Sequence, residues 1–205
     1  MASINPKSDS QAQQESFVLN VLQDKTEGTF IEIGGYDPYS LSNTYVLESD
    51  FNWSGFALEI DRKCARRYNR LRKNHCYEKN AITFDYKAAI ESHNMPKVID
   101  YLQVDIEPAL QSFQALVKVI FSGNIFRIIT FEHDAYDSLE NEKVRELSRS
   151  MLTSFGYRLV ASNVKSKGFP FEDWWVHPDH VEEENYSMFI SANLESTDLF
   201  NKTNT

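Results

Sequence analysis

Acidic residues recur wherever an apolar run gives way to a turn. They stand in Glu32-Ile33-Gly34-Gly35-Tyr36-Asp37, Glu59-Ile60-Asp61, Phe84-Asp85-Tyr86, Asp105-Ile106-Glu107 and Glu132-His133-Asp134. Thirty Asp and Glu scattered evenly would not mark each of these junctions. Carboxylates placed this way can accept hydrogen bonds from paired hydroxyls, attract a cation, or take a proton. His133 adds a side chain that titrates close to neutral pH. A divalent ion could be held by such oxygens, but the spacing does not predict a metal site.

The elements between these junctions alternate. After a short leading helix in "ESFVLNVLQD", strands are expected at 29–33, 55–60, 77–84, 97–106, 125–132, 157–164 and 186–194. Helices are expected at 41–49, 62–73, 86–92, 108–121 and 139–155. Pro108 in a first turn and Gly123 past a last one fit the capping asymmetry of helices. Continuous apolar strands separated by helices predict an α/β fold, a parallel sheet covered on both faces. Two closing strands with no helix between them predict an antiparallel terminal hairpin. The reading is one doubly wound domain of about seven strands over 15–194, with a disordered segment at 1–14 and a flexible tail at 195–205.

In such a sheet the ligand lies beyond the carboxyl ends of the strands. A dinucleotide would need glycine at 36 and 39, where this chain has tyrosine, and a ring of carboxylates would repel its pyrophosphate. S-adenosylmethionine has no phosphate and carries a sulfonium cation, so the same acids favour it. Gly34 and Gly35 would let the backbone approach the methionine part, Glu59 would accept from the ribose hydroxyls, Asp85 from the adenine amino group, and Asp105 would lie beneath the methionine moiety.

The stretch "FIEIGGYDPYSLSNTYVLESDFNWSGFALEID" also resembles the opening motifs of FkbM-type S-adenosylmethionine-dependent methyltransferases. "IDYLQVDIEPA", "ITFEHD" and "GYRLVASNVKSKGFPFEDWWVHP" are similar to later segments of that family, so the resemblance spans roughly 28–180. It implies a class I methyltransferase fold and methyl transfer to an oxygen of a sugar, glycan or other small natural product. It puts Glu32, Gly34, Asp37, Ser42 and Asn43 around the cofactor, Glu59 on the ribose, Asp105 and Glu107 by the methyl group, and His133 facing the acceptor. His133 is then the first choice of base, with Glu107 or Asp105 second; a strand-end histidine bonded only to backbone is the alternative. Asn43 could instead cap the following helix. The chain departs from the family at Tyr36, Pro38 and Pro108.

The formal net charge of -9 argues against a general nucleic-acid binder. One stretch runs the other way: "RKCARRYNRLRK" (62–73) holds seven cations and no anion. A solvated helix face explains it, and RNA methylation guided by that face is the alternative. A non-catalytic ligand-binding protein on the same scaffold is a third reading, motivated by the altered glycine turn. "FEDWWVHP" (171–178) reads as a lid, a stacking platform or core. Two cysteines, no secretory signal and no membrane-length apolar run fit a reducing cytoplasm. No feature points to a particular oligomeric state.

Overall fold

The structure is a computed structural model and describes residues 10–201. Its helices are α1 (Gln14–Val21), α2 (Tyr45–Phe51), α3 (Arg62–Leu71), α4 (Tyr86–Ser92), α5 (Ala109–Ile120), α6 (Leu139–Ser154), α7 (Glu183–Tyr186) and α8 (Ser196–Asn201). The strands are β1 (Thr29–Ile33), β2 (Ser54–Glu59), β3 (His75–Glu78), β4 (Val98–Val104), β5 (Ile125–Glu132), β6 (Arg158–Ser166), β7 (Phe169–Val176) and β8 (Ser191–Ala192). They form one eight-stranded sheet in the order β3-β2-β1-β4-β5-β7-β6-β8. Only β7 runs against its neighbours. The α/β doubly wound sheet with an antiparallel hairpin is therefore present, with eight strands.

The hairpin differs from the expectation in one respect. β6 pairs with β7, which is the "FPFEDWWV" segment, and not with 186–194. Ser166 and Phe169 are joined by Lys167 (φ 54°) and Gly168 (φ 88°), so both linking residues take the left-handed backbone that a tight two-residue hairpin demands. The segment 186–194 instead continues α7 into a 3-10 turn and the two-residue β8. β7 is buried on both sides almost throughout, so its sequence lacks the alternation that marks a strand with one wet face. The strand expected at 77–84 is also shorter, His75–Glu78, because Asn80 folds back on Ile82 and starts a turn.

Two apolar layers cover the sheet. One packs α4, α5 and α6 on Ile31, Ile33, Phe56, Leu58, Leu102, Val104 and Trp175. The other packs α1 and α2, with Trp53, Phe189 and Leu199, on Phe30, Tyr101, Ile128 and Trp174. Tyr68 of α3 closes over Ala57 and Cys76 as a smaller cluster. At the termini, Ser10 bridges to Leu41 and α8 occupies much of the segment expected to be a tail. The rest of the expected disordered segment (1–9) and of the expected tail (202–205) lies outside the described residues. No helix among those described is long and apolar enough to cross a membrane.

Candidate functional site

Parallel strands end together, and the carboxyl ends of β1, β2 and β4 open into one cleft of about 450 Å³. That size suits a nucleoside with a side arm. Its floor depends on Gly34, which has φ +99° and sits so close to β4 that an added Cβ would lie 1.7 Å from the Asp105 carbonyl oxygen. The Gly34 and Gly35 N–H groups both donate to Leu58 O, 3.0 Å each. These two amides are therefore spent on β2 and do not cradle a phosphate. α2 begins only at Tyr45, after a loop, so no helix N-terminus follows the glycines directly, as pyrophosphate binding would require.

Most of the expected residues meet here. Glu32, Gly34, Gly35, Asp37, Ser42, Asn43, Glu59, Asp105 and Glu107 all line the cleft. Asp37 accepts from the N–H groups of Tyr39 and Ser40 and pairs with Arg67, and its pKa is lowered: slight burial opposes the change, while those bonds and the guanidinium outweigh it. Glu32 is buried and accepts from Thr44 Oγ1 at 2.8 Å and Tyr68 OH at 3.0 Å. Burial raises its pKa against the pull of Arg72 and those two donors. Glu59 stands at the cleft wall and accepts from the Asp61 N–H through one oxygen, 2.7 Å away. Asn43 is buried, and its Oδ1 has no hydrogen-bond partner among the described residues. An unpaired buried acceptor on a cleft wall asks for a donor from a ligand.

Two expected residues lie elsewhere. Asp85 is exposed and caps α4, accepting from Ala88 N–H at 3.0 Å, and it does not line the cleft; Asn80 and Ala81, just after β3, do. His133 is fully buried behind the sheet. Its Nδ1 accepts from Ala135 N–H at 3.1 Å, which leaves Nε2 to donate toward Asp173 Oδ1, 3.5 Å away. The alternation of a strand explains this: Glu132 points to one face and His133 to the other. The base suggested from sequence is thus out of reach of anything in the cleft.

Sequence reading also missed residues. Arg72, the penultimate cation of the basic run, is buried, not solvated. It donates to Pro38 O, Ser42 Oγ and Thr44 Oγ1, pairs with Glu48 at 3.0 Å and lies over the Tyr68 ring at 4.7 Å. It ties the 38–44 wall of the cleft to α3, and its place just past the helix end was the only hint. Gln11 and Gln14 reach the cleft from the amino-terminal side. Glu132 lines it beside Asp105.

Around Asp105 the electrostatics are one-sided. Burial raises its pKa to about 6, with Glu107, Glu32 and Glu59 adding to the rise and a hydrogen bond from Glu132 opposing it. Burial and the neighbouring Asp105, Asp134 and Glu172 push Glu132 far up. Carboxylate oxygens of Glu107, Glu132 and Asp134 converge to within 4.8 Å. Burial, and then the neighbouring carboxyls, raise the pKa of Glu107 and of Asp134, and no metal is assigned to the convergence.

No protein-family model and no curated protein sequence matches the chain. Solved structures do. A candidate rRNA methylase of Clostridium thermocellum superposes with a TM-score of 0.58 at 10% identity, over 83% of this chain and 96% of its own. A candidate O-methyltransferase of Klebsiella pneumoniae gives 0.58 at 14%, over 84% and 82%. An rRNA methylase of Streptococcus thermophilus gives 0.51 at 10%, over 80% and 93%. At these identities the likeness establishes the fold: this chain has the class I methyltransferase fold.

Proposed function

We propose that the protein is an S-adenosylmethionine-dependent methyltransferase of FkbM type that methylates a hydroxyl of a sugar, glycan or other small natural product. One observation carries the reading. The cleft at the ends of β1, β2 and β4 is walled by Glu32, Asp37, Glu59, Asp105 and Glu107 against one cation among the described residues, Lys79. Such a lining favours a sulfonium and disfavours a pyrophosphate. Glu59 would hold the ribose hydroxyls, Asn80 and Ala81 the adenine, and the unpaired Asn43 oxygen a donor on the methionine end. Asp105 and Glu107, at the end of β4, would face the transferred methyl.

Methyl transfer is an in-line displacement, and alignment alone can supply roughly 7–11 kcal/mol of the barrier. An acceptor hydroxyl must also lose a proton, and Asp105, ionised above about pH 6, is the base that the geometry favours in place of His133. The non-catalytic reading would gain support from a cleft filled by tyrosine. Tyr36 instead stands 68% exposed at the rim, and Tyr39 turns away to donate to Leu71 O. RNA guided by the basic α3 gains less, because Arg67 and Arg72 of that run already serve Asp37 and Glu48.

Calorimetric titration with S-adenosylmethionine tests the proposal. Saturable binding is expected, and Glu59→Ala should weaken it about tenfold or more, the loss of a two-point hydrogen-bond acceptor. An unchanged affinity would remove Glu59 from the ribose site.

A further inference from the structure

Glu172 belongs to none of the roles above, yet its position is unusual for a glutamate. It sits on β7 directly opposite Glu132 of β5, with 2% of its surface exposed. Trp174 Nε1 donates to its Oε1 at 2.7 Å, and Gln14 of α1 bonds it from the facing layer. One step toward the cleft, β4 and β5 run in parallel register through Val104 and Phe131, which brings Asp105 beside Glu132. Three carboxyls therefore form one row across three strands, on one face of the sheet. Asp105 and Glu132 reach the cleft, and Glu172 is sealed beneath α1.

A carboxylate in such a place needs a cation or several N–H donors. The charged groups that act most on these three are carboxyls: Glu32 of β1, Glu59 of β2, Glu107 after β4, Asp134 after β5 and Asp173 of β7. Tyr136 acts on Asp134, which does not line the cleft, and Lys79 follows β3 on the cleft wall. Adjacent carboxyls without a cation cannot all ionise.

We propose that Glu132 and Glu172 are positioning residues that remain protonated, Glu132 donating its proton to Asp105, so that Asp105 alone is ionised and serves as the base. The inference rests on the methyl-transfer reading. Asp105 takes the proton of the acceptor O–H while the oxygen lone pair bonds to the methyl carbon. The carbon–sulfur bond breaks and its electron pair returns to sulfur. The products are the methyl ether, neutral S-adenosylhomocysteine and a protonated Asp105, which passes its proton to water by way of Glu107 on the cleft wall. Donation from Glu132 keeps Asp105 ionised in spite of its burial, and Glu132, buried among carboxyls, has no cation among the groups that act on it to favour its own ionised form.

The test is a pH titration of the full chain carrying carboxyl-labelled Asp and Glu, followed by carbon NMR. Asp105 should titrate near 6, while the Glu132 and Glu172 signals stay in the protonated position above pH 7.5. Glu132→Leu, which removes the donor, should raise the Asp105 midpoint by about one unit or more, and Glu132→Gln, which keeps an N–H donor there, should restore it. Ionisation of Glu132 or Glu172 in the ordinary carboxylate range of the wild-type chain would overturn the row, whether or not the variants fold. Calorimetry with S-adenosylmethionine on the same samples separates the two ideas. Binding together with ordinary titration sinks the row alone, whereas absence of binding sinks the methyl-transfer reading and with it the role of Asp105 as base.

Discussion

The β5–β7 ladder carries buried ionisable groups on both of its faces, and the two faces solve the problem in opposite ways. On the α6 side, Asp173 is fully buried beside Arg149, which reaches it with Nε at 2.7 Å and a second nitrogen at 2.9 Å. Burial works to raise its pKa, but His133 and Arg149 outweigh it and hold the group at about 2. On the α1 side, Glu172 has Trp174 and Gln14 as its hydrogen-bonding neighbours among the described residues, and burial drives its pKa well above 4.5. Neighbouring residues in sequence thus end as an ion and a neutral acid. A carboxyl's burial decides little until its partners are known.

That contrast can be broken most sharply at Arg149. Arg149→Ala would leave Asp173 charged and largely uncompensated, and should destabilise the fold by about 3 kcal/mol in urea denaturation. A loss under about 1 kcal/mol would show that Asp173 is not the ion described. Next in size, Asp173→Asn should cost about 2 kcal/mol at pH 7, while Glu172→Gln, one neutral group for another, should cost less than about 1 kcal/mol. Reversal of that order would remove the distinction between the faces.

The pH dependence sharpens it further. Asp173 is depressed from 3.8 to about 2 in the folded chain, so its contribution is complete above 3.8 and is lost as the pH falls through 2. Glu172 has the opposite sign. Above 4.5 the unfolded chain ionises this group while the folded chain keeps it protonated, so stability declines as the pH rises, by about 1.4 kcal/mol per unit. Between pH 5 and 7 Glu172→Gln should flatten the wild-type decline by about that slope, and an unaltered slope would contradict a protonated Glu172. The smallest effect belongs to the exposed cations of α3. Arg66→Ala and Arg70→Ala should each change stability by less than about 0.5 kcal/mol, in contrast with the buried Arg72 of the same run.

Where a residue's position follows from strand ends, the sequence is a good guide to which side chains share the cleft. Gly34, Glu59 and Asp105 could be placed because a parallel sheet gathers the carboxyl ends of its strands in one place. The misplaced residues share a different cause. His133 and Glu132 are one residue apart, and which face either takes depends on register with β7, a strand whose continuous burial hides it from a reading of periodicity. Asp85 resembles a ligand at a strand end, but β3 stops early and the same aspartate serves as a helix cap. Arg72 looks like one more surface cation because nothing local announces that its neighbours are Glu48 and Tyr68, distant in the chain.

The central claim is that the acidic cleft holds a sulfonium nucleoside. A crystal structure of the full chain soaked with S-adenosylmethionine tests it directly. The ribose diol should lie on the Glu59 carboxylate, with the adenine against Asn80 and Ala81 and the sulfur turned toward Asp105. A ligand lodged away from Glu59, or a cleft that stays empty at saturating concentration, would contradict it.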